Sequence, residues 1–194
     1  MAKADPEATK RERNKTIKWV ITIFFVTIFV SGAISFLSDS LMENSSMAVA
    51  FLILFIIILV GIIFDIIGMA VATAEEKPFH AMAARKVEGA KESIQLLRNA
   101  ERVSSICNDV VGDICGVVSG SASATIAAQI LGSFEFSWPQ IVSLLMSALA
   151  AGLTVGGKAI GKSFAVNSCT TIVHTVGKLI FRFNSLFHKN RKKK

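Results

Sequence analysis

The chain has 194 residues, of which 52% are hydrophobic, and it carries a formal net charge of +7 with a mean hydropathy of +0.56. This hydropathy is high for a soluble domain, and it indicates a protein with a single membrane domain. The basic residues are divided among segments that flank apolar ones, which favours attraction to anionic lipid head groups and argues against nucleic-acid binding. The three Cys and three His residues show no disulfide framework and no zinc spacing, and we predict that the protein is not an enzyme.

Four apolar segments are long enough to cross a bilayer as α-helices. After a basic arm over residues 1–16, a transmembrane domain over residues 17–160 is predicted, with spans at residues 17–37, 48–72, 103–131 and 141–160. Residues 75–100 are rich in Ala, Lys, Glu and Leu, which predicts a helical hairpin with Pro78 near its start and a break near Gly89.

An amphipathic helix is predicted after the last span, over residues 161–188. Its apolar residues recur every three to four positions from Val166 to Phe187, and basic residues lie on the other side. Such a helix is expected to lie along the inner membrane surface. The polybasic tail, residues 189–194, adds attraction to anionic lipids of about 1 kcal/mol for each basic residue, although a tail that is merely solvated is an equally good interpretation.

The orientation follows from the basic residues, because short cytoplasmic loops carry an excess of Lys and Arg. All 21 of them fall in residues 1–18, 73–102 and 158–194, whereas the loops at residues 38–47 and 132–140 have none. The sequence therefore predicts an all-α, multi-pass membrane protein with four transmembrane helices, a cytoplasmic helical hairpin, a C-terminal juxtamembrane helix and both termini in the cytoplasm.

A group of polar side chains lies inside or beside the predicted spans, where an ionisable residue is costly and seldom idle. Its members are Asp65, Asn108, Asp109, Asp113 and Lys158. All five fall in the cytoplasmic half of their spans, so they could converge in one cavity that serves as an ion site. The alternative is a structural salt bridge between one Asp and Lys158 that ties three helices together. The sequence does not decide which of the acids Lys158 contacts.

Glycines at four-residue spacing form small faces on two spans, which let helix backbones approach closely. They are Gly112, Gly116 and Gly120 on the third span and Gly152 and Gly156 on the fourth. These faces are expected to serve helix packing, including a homodimer. Residues 156–163 (GGKAIGKS) also match the nucleotide-binding P-loop pattern, but that pattern functions between a strand and a helix. In an apolar span the same residues are better explained as helix packing.

The order of elements resembles the transmembrane domain of the CNNM/CorC family of magnesium-transport proteins, over about residues 48–187. Residues 80–106 (HAMAARKVEGAKESIQLLRNAERVSSI) are similar to the family's cytoplasmic hairpin, which ends in P-E-R. Residues 64–74 (FDIIGMAVATA) stand at its F-S-G-S-E-T-A-L segment, Asn108 and Asp109 stand at its G-N-N motif, and residues 157–163 stand at its G-E-x-x-P-K-[SA] motif.

The resemblance implies transport of a cation, with Mg²⁺ as the substrate and Asp65, Asn108 and Asp109 as its ligands; no other cofactor is implied. Two departures stand against this. Gly68 replaces the Glu of the first motif, and Lys158 replaces that of the last, which places a fixed positive charge where Mg²⁺ would bind. The family's nucleotide-sensing domains do not follow, so regulation would need a separate subunit. The alternative function is a non-transporting membrane scaffold or regulatory subunit whose ion site is closed by Lys158.

Overall fold

The computed structural model describes residues 6–43, 45–133 and 138–191, and within these ranges the chain forms helices and no strands. The helices are α1 (Pro6–Glu43), α2 (Met47–Thr73), α3 (Lys77–Ala84), α4 (Ala90–Arg98), α5 (Ala100–Ser105), α6 (Asp113–Ser133), α7 (Pro139–Asn167) and α8 (Cys169–Arg191). A π-helical segment, Ile106–Gly112, joins α5 to α6 without a break. The last three residues of the predicted polybasic tail lie outside the described ranges.

Four helical stretches are long and apolar enough to cross a membrane: Thr16–Met42, Met47–Thr73, Ala100–Ser133 and Pro139–Asn167. This confirms an all-helical, multi-pass architecture. Two helices extend furthest beyond the predicted spans. α1 already begins at Pro6, because the Ala, Lys, Arg and Glu residues that follow are good helix formers. α7 continues to Asn167, because its only helix-breaking residue type after the start is glycine, which a packed helix tolerates.

The helix α2 is the centre of the bundle and packs against α6, α7 and the π-helical segment. The helix α1 lies outside and contacts the bundle along one stripe, at a spacing of three to four residues. The stripe consists of Trp19, Ile23, Thr27, Ser31, Ser35, Ser38 and Met42. Between Thr16 and Leu41 the other residues of α1 are exposed, with Phe29 at 80%. So large an exposed apolar surface fits a helix surrounded by lipid.

The bundle has two distinct ends. At the loop end, α1 meets α2 and α6 meets α7, and the side-chain amide of Gln129 donates a hydrogen bond to the carbonyl oxygen of Met42 at 2.9 Å. At the hairpin end, α3 and α4 are joined by a turn and pack together. This turn contains Gly89 with a φ of 82°, a backbone conformation that glycine adopts without strain.

The first half of α8 packs against this hairpin. The buried hydroxyl of Ser93 donates to the carbonyl oxygens of Gly89 and Val173, at 2.8 and 3.2 Å. Gly177 lies directly against Ser93 and Gly89, and Val173 is fully buried. Further along α8, the apolar side chains of Leu179, Phe183 and Leu186 are more than 60% exposed. The predicted position of this helix on the membrane surface stays a prediction.

Candidate functional site

The polar centre of the bundle lies where α2, the start of α6 and α7 meet. Asp65 is 3% exposed in the middle of an otherwise apolar stretch of α2. Gly112 faces it, and a Cβ atom at that position would lie 3.5 Å from the Asp65 carboxylate and 3.3 Å from the Lys158 ammonium. The absence of a side chain at Gly112 therefore gives the lysine its space between the helices.

Lys158 joins the three elements. Its Nζ lies 3.7 Å from Oδ1 of Asp65 and 3.7 Å from Oδ1 of Asp113, and it donates a hydrogen bond to the carbonyl oxygen of Gly112 at 3.2 Å. The side chain of Lys158 is 18% exposed, whereas that of Asp113 is 72% exposed. Lys158 thus pairs with Asp65 and Asp113. A buried charge is tolerated because it is paired and hydrogen-bonded in this way.

A second lysine, outside the predicted cluster, lies on the same face of α7. The Nζ of Lys162 is 3.9 Å from Oδ2 of Asp65, and its side chain is 50% exposed. Residues four apart on a helix share a face, so the repeat Gly157-Lys158 and Gly161-Lys162 was the signal that could have revealed it.

The two glycines of this repeat bring α7 close to α2. A Cβ atom on Gly157 would collide with the side chain of Ile62, and one on Gly161 would lie 2.7 Å from Cγ1 of Ile66. This close approach lets both lysines reach Asp65. The residues of the P-loop pattern lie inside α7, where Gly157 and Gly161 pack against α2.

The π-helical segment positions Asn108 and Asp109. The amide nitrogen of Asn108 donates to the hydroxyl of Ser104 at 3.2 Å, and its Oδ1 lies against the backbone of Gly68. The absence of a side chain at Gly68 therefore makes room for the Asn108 amide. Such π-helical turns occur often at functional sites.

Asp109 lies apart from the lysines' contacts. Its Oδ2 accepts a hydrogen bond from the hydroxyl of Ser105 at 2.9 Å. It lines an open cavity of about 480 Å³ together with Glu101, Ser104 and Ser105. The structure thus brings together three residues of the predicted cluster, Asp65, Asp113 and Lys158. Asn108 lies against Gly68, one turn of α2 away from Asp65. Asp109 is exposed at the cavity.

Two buried oxygen atoms have no hydrogen-bond partner among the described residues: Oδ2 of Asp65 and Oδ1 of Asn108. Asp65 and Gly68 are three residues apart and so lie on one face of α2, with about 5–6 Å between neighbouring positions. The Asn108 oxygen therefore lies about one helical turn along α2 from the position of Asp65, whose Oδ2 lies on the side of Lys162. An unsatisfied buried acceptor costs about 1–3 kcal/mol, which a donor or a cation would recover.

Within the described ranges, no group of three or more His, Cys, Asp or Glu residues is arranged to hold a metal ion. Metal binding by Asp65, Asn108 and Asp109 stays a prediction.

The predicted glycine faces divide into two groups. A Cβ atom on Gly112 would contact neighbouring atoms of the chain, so this residue serves packing within the bundle. The other four, Gly116, Gly120, Gly152 and Gly156, have no atom of the described chain within 4 Å of such a Cβ atom. Their small faces on α6 and α7 are thus open to contact with other molecules.

No family model, curated protein or solved structure matches this chain. The resemblance to the CNNM/CorC family stays a prediction, and the function proposed below rests on the geometry of Asp65, Asn108 and Lys158.

Proposed function

We propose that this chain is an integral membrane protein that binds and transports a cation, with Mg²⁺ as the cation that the resemblance implies. The supporting observation is the pair of buried oxygens without hydrogen-bond partners, Oδ2 of Asp65 and Oδ1 of Asn108. Carboxylate and amide oxygens are ligands that Mg²⁺ accepts, and Mg²⁺ usually keeps several of its waters when few protein ligands are offered.

Lys158 acts in this proposal as the internal counter-ion. It occupies Oδ1 of Asp65 and leaves Oδ2 for the transported cation. Without any counter-ion, the Asp65 carboxylate would be a lone buried charge in the bundle, which is costly. The lysine therefore keeps the bundle closed and stable between transport events, and the cation binds on the opposite side of the carboxylate.

The proposed arrangement in the cell follows from charge and packing. The hairpin end, which carries the basic residues, faces the cytoplasm with both termini, and the basic residues bind anionic lipids. A homodimer forms through the open glycine faces of α6 and α7. The 72% exposed side chain of Asp113 supports this contact, because a carboxylate facing lipid is unfavourable. A separate regulatory subunit supplies control.

One observation favours a second function. The Lys158 ammonium already has two carboxylates and one carbonyl oxygen around it, as a bound cation would. In that case the chain is a non-transporting scaffold or regulatory subunit, and its ion site is permanently closed by its own lysine.

Reconstitution of the full chain in liposomes separates the two functions. We expect Mg²⁺ flux from the native protein, loss of flux in Asp65→Asn, and unchanged flux in Lys91→Gln, a control that removes a single exposed charge on α4. If the native protein shows no flux and Lys158→Glu does, the chain has a transport fold whose ion site is closed by Lys158. If neither folded protein shows flux, the second function, a non-transporting scaffold or regulatory subunit, is favoured. Na⁺ flux, measured in parallel, tests the identity of the cation.

A further inference from the structure

The two lysines at Asp65 are held very unequally. Lys158 has three oxygen atoms around its ammonium and is 18% exposed. Lys162 approaches only Oδ2 of Asp65, at 3.9 Å, and half of its side chain is exposed. An ion pair at that distance between a half-exposed and a buried group contributes little, because water screens the exposed partner.

The unequal contacts matter because each lysine faces a different oxygen of the same carboxylate. Lys158 faces Oδ1, and Lys162 faces Oδ2, which has no hydrogen-bond partner. Departure of Lys158 would leave Asp65, Asp113 and the Gly112 carbonyl without their shared donor. Departure of Lys162 would break one long contact, and its flexible side chain would regain full hydration in the polar region beyond the bundle.

We propose that Lys162 is the displaceable counter-ion of this site. A cation that reaches Oδ2 of Asp65 and Oδ1 of Asn108 displaces the Lys162 ammonium into water, while Lys158 stays in place. Displacement by a cation rests on the proposed function, but the retention of Lys162 by Asp65 does not. Lys162 is a positioning residue in this scheme: it sets the affinity of the site, because its positive charge competes with the incoming cation for Oδ2.

Amine labelling of the purified full chain, read by mass spectrometry, tests the retention directly. In the native protein, Lys158 should be protected and Lys162 should react slowly. In Asp65→Asn, labelling of Lys162 should rise at least about threefold because its partner charge is lost, while Lys158 stays protected by Asp113 and Gly112. Lys91, exposed on α4, is the internal control and should not change. Unchanged labelling of Lys162 in Asp65→Asn would overturn the inference.

Addition of Mg²⁺ tests the displacement. Labelling of Lys162 should rise with Mg²⁺ in the native protein, and Lys158 should remain protected. In Lys162→Gln, binding of Mg²⁺ measured by calorimetry should tighten about tenfold, which corresponds to the loss of about 1.4 kcal/mol of competition. Exposure of Lys158 instead of Lys162, or equal affinity in Lys162→Gln, would overturn the inference.

The two proposals fail in different ways. Mg²⁺ flux in liposomes without any exposure of Lys162 would overturn displacement and keep the transport function. No flux and no effect of Mg²⁺, together with retention of Lys162 by Asp65, would overturn both transport and displacement and leave Lys162 as a fixed charge of a closed site.

Discussion

The ammonium of Lys158 lies 3.7 Å from a carboxylate oxygen of Asp65, and this contact joins α7 to α2 in the apolar interior of the bundle. Asp65 is nearly inaccessible to solvent, so water cannot solvate its carboxylate if Lys158 is removed. Charged pairs of this kind penalise the loss of one partner far more than the loss of both.

Removal of Lys158 alone is therefore expected to destabilise the bundle. Lys158→Met should lower the free energy of unfolding by about 3 kcal/mol, the lower part of the range for a broken buried pair, because Lys162 stays near Asp65. The double variant Asp65→Asn, Lys158→Met should recover most of that loss. Thermal unfolding in detergent measures both, and Lys91→Met is the control. A single variant as stable as the native protein would show that the pair contributes nothing.

Asn108 is expected to be required for Mg²⁺ flux but to contribute little to stability. Asn108→Leu removes an amide whose Oδ1 has no hydrogen-bond partner but whose nitrogen donates to Ser104, and it keeps the number of side-chain heavy atoms, so stability should fall by no more than about 1.5 kcal/mol. Mg²⁺ flux should be lost.

The control for Asn108→Leu is Asp109→Asn, a change at the next residue, whose carboxylate is exposed and contacts Ser105. Its flux and stability should both stay close to native. Loss of flux in Asp109→Asn would return Asp109 to the set of ligands that the sequence predicts, and normal flux in Asn108→Leu would remove Asn108 from it.

The contact between the hairpin and α8 predicts a strong effect of one methyl group. Gly177→Ala places a Cβ atom against the Ser93 hydroxyl and the Gly89 carbonyl, and should cost about 1–3 kcal/mol by overpacking. Gly32→Ala is the control, because no atom lies within 4 Å of its Cβ position on α1. Unfolding curves of the two variants should separate clearly. Equal stability would show that α8 does not dock on the hairpin in this way.

The open glycines predict where a second copy binds. Gly120→Leu on α6 should reduce the dimer fraction in bilayers at least several-fold, because close helix contacts depend on small residues. Its fold should be intact, since the leucine meets no atom of its own chain at Cβ. Cross-linking in liposomes measures the dimer, with Gly32→Leu as control. A dimer fraction equal in both variants would place any self-association elsewhere.

The gross architecture could be predicted because it depends on local properties of the chain. Hydrophobic length determines the four spanning helices, and the break at Gly89 follows from a backbone conformation that glycine favours. The choice of Asp65 and Asp113 as partners of Lys158 could not be predicted, because it depends on the rotation of three helices about their axes. A rotation of the third span about its axis would place Asp109 beside Lys158 instead of Asp113.

Lys162 was missed for a related reason. The sequence predicts a last span that ends at residue 160, which places Lys162 in a separate helix on the membrane surface. In the structure α7 continues without interruption to Asn167, so Lys162 shares a face with Lys158. Hydropathy locates the apolar part of a helix but not its end, and a helix that leaves the apolar layer can remain helical for several turns.

The π-helical segment determines the rotational phase of everything that follows it. Each bond from residue i to i+5 encloses one more residue than an α-helical bond, so a π-helical turn acts as an inserted residue. Ile106–Gly112 therefore turns α6 relative to α5 by about the 100° that one residue represents. Deletion of one residue there would let an uninterrupted α-helix form and would carry Gly112 and Asp113 around the helix axis, away from Lys158. The contacts of Lys158 thus depend on the number of residues in the π-helical segment, and a deletion that removes no charged residue would break them.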